Sequence, residues 1–145
     1  MSDGERPSTR RLGDRGEDLA VRHLKRQEGY RVVERNLRNS GGELDLVAWD
    51  GQTLCFVEIK LRRQLEYGGA AQAVDARKQE RVRRAAEAYL QHWQGEVPEC
   101  RFDVVTVEPT AGSSAEPGGR VEKRGWWRRS RSQKAWRVEL FRDAF

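Results

Sequence analysis

A chain of 145 residues supports one ordinary domain with one core, and its 37% hydrophobic content against 35% charged is that of a globular, very soluble chain, not a wholly disordered one. Its 28 Lys and Arg against 23 Asp and Glu leave a net charge of +5, a bias toward a polyanionic partner. No stretch approaches the ~18 uninterrupted apolar residues of a membrane span, so no membrane partner and a cytoplasmic address are expected. Cys55 and Cys100 lack the spacing of a metal knuckle, and His23 and His92 have no neighbouring thiol or second histidine, so no zinc site is expected and the thiols read as reduced core residues.

In chain order, residues 1–11 read as a flexible N-terminus and 12–145 as a single domain. Leu12, Leu19, Ala20 and Leu24 recur at helical spacing from Leu12 to Gln27, and Glu28-Gly29 supplies the stop. Tyr30 to Leu37 alternates as a strand. The apolar runs Leu44 to Trp49 and Thr53 to Leu61 flank Asp50-Gly51, a hairpin dipeptide. From Ala73 to Trp93, the series Val82, Ala85, Ala86, Tyr89, Leu90 and Trp93 has the period of an amphipathic helix, with arginines on the other side. Arg101 to Glu108 is a predicted strand, 109–132 a basic loop insertion rich in Gly, Ser, Pro and Arg, and Ala135 to Phe141 a closing strand.

The chemistry concentrates around Asp45, Glu58 and Lys60. Side chains two apart on a strand share a face, so Glu58 and Lys60 point one way and Val57, Ile59 and Leu61 the other. The position of Asp45 depends on the hairpin. A two-residue loop at Asp50-Gly51 puts it on the Glu58 face, diagonal to that acid. A four-residue loop from Asp50 to Thr53 sets the two directly opposite, and a three-residue loop moves Asp45 to the other face. Two carboxylates converging at one point repel unless a cation lies between them, and oxygen ligands suit a hard ion such as magnesium, with manganese as the alternative. Lys60 is then placed to orient a water and stabilise charge growing on phosphorus. An ordinary ion pair on a partly exposed strand is the competing reading of Glu58 and Lys60.

The order Asp45, then Glu58-Ile59-Lys60 thirteen residues on, resembles the signature of the PD-(D/E)XK nuclease superfamily. More closely, Gly16-Glu17-Asp18-Leu19-Ala20, Gly42-Glu43-Leu44-Asp45-Leu46-Val47, Phe56-Val57-Glu58-Ile59-Lys60-Leu61-Arg62, Arg101-Phe102-Asp103-Val104-Val105 and the closing Ala144-Phe145 resemble the bacterial YraN family of nuclease-like proteins. The resemblance implies an α/β fold, a restriction-endonuclease-like mixed central sheet flanked by helices, similar to that of archaeal Holliday junction resolvases. It implies Asp45 and Glu58 as metal ligands, the Ile59 carbonyl as a further ligand, Lys60 as the water-positioning residue and Glu17 as an accessory acid. By analogy with those resolvases it also suggests a homodimer.

The insertion departs from the family pattern. Its Arg124, Arg128, Arg129 and Arg131, interleaved with Trp126 and Trp127, suit phosphates and unpaired bases, although a solvated loop is the alternative. Arg62 and Arg63 follow Lys60 as candidate phosphate contacts. Lys78 stands among Arg77, Arg81, Arg83 and Arg84 on the second helix and also matches the family. Asp103 reads as a strand-end pairing residue in preference to a site-edge acid. The expectation is a magnesium-dependent endonuclease acting on structured or branched nucleic acid, DNA before RNA. A non-catalytic nucleic-acid-binding module of the same fold is the alternative.

Overall fold

The computed structural model describes the backbone of residues 9–62, 74–109 and 136–145, and the side chains of 15–62, 74–108 and 136–145. Its elements run α1 (Thr9–Arg26), β1 (Arg31–Asn39), β2 (Gly42–Asp50), β3 (Thr53–Leu61), α2 (Ala76–Gln91), β4 (Cys100–Pro109) and β5 (Trp136–Phe141). The strands form one mixed sheet in the order β1-β2-β3-β4-β5, antiparallel except for the parallel pair β3 and β4, which α2 connects. This is the α/β architecture expected, a mixed sheet flanked by helices. No described helix is long and apolar enough to cross a membrane.

Alternation along the central strands feeds two cores. Leu46, Ala48, Cys55, Val57, Val105 and Val107 face Ala20, Val21 and Leu24 of α1. Val47, Leu54 and Phe56 face Val82, Ala85 and Ala86 of α2. Both faces of β2 and β3 are therefore covered, which is why these strands read as apolar runs without polar alternation. Emptying the Phe56 site, fully buried here, would cost about 3–5 kcal/mol.

Two turns decide where the site lies. The β2–β3 loop is Gly51-Gln52, closed by the pair Asp50 and Thr53, which corrects the expectation of a turn centred on Asp50-Gly51. Gly51 takes a φ of 59°, as the first central residue of a two-residue hairpin of type II′ requires. Asp50 is held in the ladder because its carboxylate accepts from Arg101 at 2.7 Å and from Arg142 at 3.3 Å. The resulting register carries Asp45 directly opposite Glu58, the geometry expected of a longer loop.

The β1–β2 turn docks on α2. Asn39 Oδ1 accepts from the N–H groups of Gly41 and Gly42, and its Nδ2 donates to the Ala85 carbonyl at 2.8 Å. A Cβ at Gly41 would run into the Arg84 carbonyl, and one at Gly42 would lie 2.8 Å from that of Arg81. Glycines here let the hairpin backbone lie against the helix backbone. That contact, with the Asp75 cap accepting from Lys78 N at 2.8 Å, fixes the first turns of α2 over the Asp45 end of β2.

Candidate metal and phosphate site

The regular pairing of β2 with β3 reaches Leu46 and Val57, and one step further the side chains take over from the backbone. The Asp45 N–H donates to Glu58 Oε1 at 3.2 Å, and the Ile59 N–H donates to Asp45 Oδ2 at 2.8 Å. Each carboxylate thus satisfies a backbone donor on the facing strand, which locks the acids together without a direct ladder. β3 meanwhile stays paired with β4 through Glu58, Ile59, Lys60 and Leu61, so its edge of the site is rigid.

Asp45 and Glu58 lie on the α2 side of the sheet, where Glu43, Lys78 and Arg81 complete a cleft of about 80 Å³. That is room for an ion with a water or two, water occupying about 30 Å³ in the liquid. Glu58 is 2% exposed, and Lys78 Nζ stands 3.3 Å from its Oε2. Burial, and then the charge of Asp45, push the Glu58 carboxyl up to about 7, against the pull of the Lys78 ammonium and the Asp45 N–H. Burial also raises Asp45, opposed by the Ile59 N–H, Lys78 and a hydrogen bond with Glu58. A buried acid and a half-buried one that are costly to ionise together favour positive charge beside them.

Lys60 shares the Glu58 face two residues on, and its side chain is exposed. Ile59 directs its side chain to the α1 core, leaving only its backbone for the cleft. Arg62 is half-buried and its N–H donates to the Val107 carbonyl at 2.8 Å. The structure does not bring Glu17 into the cleft: α1 packs on the opposite face of the sheet, and Glu17 Oε2 lies 4.0 Å from the Arg35 guanidinium. Among the described residues no cluster of three or more Asp, Glu, His or Cys side chains forms a ready metal cage. Arg63, Arg124, Arg128, Arg129 and Arg131 lie outside the described residues.

Sequence reasoning passed over Glu43 and Arg81 as cleft residues. Both had a signal in periodicity: Glu43 is two before Asp45 on its strand, and Arg81 is one helical turn beyond Lys78. The basic face expected of α2 divides. Lys78 and Arg81 turn to the cleft, Arg84 pairs with Glu80 at 2.7 Å, and Arg83 lies 5.3 Å from the centre of the Phe145 ring. Asp103 is a pairing residue: fully buried, it accepts from Tyr30 Oη at 2.7 Å, Arg101 Nε at 2.8 Å and Asp143 N at 3.0 Å.

Residues 16–107, which carry both acids, Lys60 and the cleft side of α2, match the description "Uncharacterised protein family UPF0102". A UPF0102 protein of Symbiobacterium thermophilum is 50% identical over 101 residues, covering 70% of this chain and 85% of its own length. One from Herminiimonas arsenicoxydans is 46% identical over 108 residues, 73% of this chain and 86% of the relative. One from Pseudomonas aeruginosa is 44% identical over 113 residues, 76% and 88%. On both the family match and these relatives, the chain belongs to the uncharacterised protein family UPF0102.

Proposed function

We propose that this protein is a magnesium-dependent endonuclease that hydrolyses phosphodiester bonds in structured or branched nucleic acid, DNA before RNA. One observation carries the reading: Asp45 and Glu58 are held face to face in a small cleft, each anchored by a backbone N–H of the other's strand. The donor set fits the ion, since magnesium binds through one or two carboxylates and keeps several waters, and the cleft sets Asp45 and Glu58 face to face with Glu43 as a third carboxylate in its lining. Asp45, Glu58 and the Ile59 carbonyl would hold it. Bound there, it would polarise a phosphoryl oxygen and lower the pKa of a water.

The chain's own residues supply the rest. Lys60, on the Glu58 face and exposed, would meet the scissile phosphate, orient the attacking water and stabilise charge in the transition state. Lys78 and Arg81 at the cleft would hold phosphates, with Arg62 and Arg63 following Lys60 and Arg124, Arg128, Arg129 and Arg131 extending the contact to the strands. Glu17 enters this scheme only as a support from the α1 side. A homodimer, by analogy with resolvases of similar fold, would place two such clefts on a branched substrate.

A second reading, a nucleic-acid-binding module of nuclease fold that does not cut, draws on the Lys78–Glu58 ion pair, which neutralises one acid without any metal. A panel of labelled DNA and RNA structures incubated with magnesium or manganese separates the two. The endonuclease cuts at least one branched or flapped substrate, and Asp45→Asn and Glu58→Gln abolish cutting. Binding to the panel without cleavage by the wild-type chain in either metal refutes the catalytic reading.

A further inference from the structure

Lys78 is placed unlike a surface phosphate tether. Its ammonium stands 3.3 Å from Oε2 of an acid that is 2% exposed, while its own side chain is 53% exposed. One Glu58 oxygen takes the Asp45 N–H at 3.2 Å and the ammonium stands against the other, where a cation binding Glu58 would compete with it. The backbone that carries it is fixed, capped by Asp75 at 2.8 Å and abutted by the Gly41–Gly42 turn. Its four-carbon stem, by contrast, has rotamers that lead to solvent. The ammonium can therefore leave Glu58 with no change in the helix.

We infer that Lys78 is a tethered counter-ion that competes with the divalent cation for Glu58: it neutralises the acid in the metal-free protein and is displaced when the ion binds. The inference rests on the carboxylate site proposed above and adds a role for a residue otherwise read as a phosphate contact. The physical reason is that a divalent ion and an ammonium on one carboxylate oxygen repel strongly in a partly desolvated cleft. The displaced ammonium is released at the rim, one helical turn from Arg81, where both charges face an incoming phosphate. Metal binding would in this way convert a counter-ion into a nucleic-acid contact.

Calorimetric titration of the full chain with Mn²⁺, without nucleic acid, tests this. Lys78→Met keeps the stem and removes the charge, and should bind Mn²⁺ on the order of 10-fold more tightly than wild type. Lys78→Arg, which keeps the charge, should stay near wild type. Arg77→Met, an equal loss of charge at an exposed neighbouring position, should change the Kd by less than about 2-fold. An unchanged or weaker Kd in Lys78→Met, with wild type binding and Glu58→Gln not, overturns the inference and leaves the carboxylate site standing. Mn²⁺ binding by none of the proteins overturns the site reading and the inference with it. Should Lys78→Met fold poorly, the wild-type chain gives the second readout. Acetylation of Lys78, read by peptide mass spectrometry, should rise on saturation with Mn²⁺ while that of the exposed Lys25 does not, and an unchanged Lys78 reactivity refutes displacement.

Discussion

Replacing Glu58 with Gln should stabilise the metal-free protein at alkaline pH. Glu58 rises from 4.5 to about 7 because burial and Asp45 disfavour its charge, against Lys78 and the Asp45 N–H. A carboxyl whose folded pKa lies above its unfolded one favours the folded state at low pH, and that contribution is lost as pH rises from about 4.5 through about 7. At 1.36 kcal/mol per unit, wild type should lose roughly 2–3 kcal/mol from this site between pH 5 and pH 8. Glu58→Gln has nothing to ionise there, its amide oxygen can still accept from Asp45 N, and its NH₂ can donate to Asp45. Lys78 forfeits its partner, a small cost for a side chain 53% exposed. Melts followed by circular dichroism in EDTA should therefore show the variant gaining on wild type by roughly 5–10 °C in Tm between pH 5 and pH 8. Adding Mn²⁺ at pH 8 should reverse the order by raising only wild type. A variant that melts below wild type at pH 8 in EDTA, or a gap independent of pH, would refute the electrostatic account of the cleft.

Lys60→Ala should lower cleavage by ~10²-fold or more while leaving nucleic-acid affinity nearly unchanged, as read by single-turnover kinetics beside a binding titration. Equal losses in both would make Lys60 a binding residue only. Removing Arg124, Arg128, Arg129 and Arg131 together should flatten the salt dependence of nucleic-acid binding, and an unchanged slope would show that the insertion does not contact phosphates. Asp45→Asn should hold or tighten metal-free binding, since it removes a charge that repels phosphate, and weaker binding in EDTA would contradict that placement. Gly41→Ala should cost about 1–3 kcal/mol in urea melts because the new methyl meets the Arg84 carbonyl, and a neutral result would mean that α2 does not lie against the hairpin.

The elements were legible because each carries its own periodicity. The apolar series of α2, the runs of β2 and β3 and the Gly29 stop after α1 all report local geometry that short-range sterics and one-sided burial enforce. The face shared by Glu58 and Lys60 needed only the two-residue repeat of a strand. The position of Asp45 was not settled by the same reasoning, because a hairpin shifted by one residue changes every cross-strand pair. The choice of Gly51-Gln52 over Asp50-Gly51 depends on Arg101 and Arg142, 51 and 92 residues away, holding Asp50 in the ladder.

Long-range packing also separated residues that sequence grouped. Lys78, Arg81, Arg83 and Arg84 look alike as a basic stripe, yet Glu58, Glu80 and the Phe145 ring draw their charges in different directions. Glu17 stood beside the acids in the motif pattern, whereas α1 covers the face of the sheet turned away from the cleft. Sequence alone determined the order of helices and strands and the side of β3 on which its acid and lysine project, because neighbouring backbone geometry dictates both. Only the tertiary structure decided which distant partner each charged side chain meets, because an ion pair has no periodicity and forms wherever folding brings opposite charges out of water together.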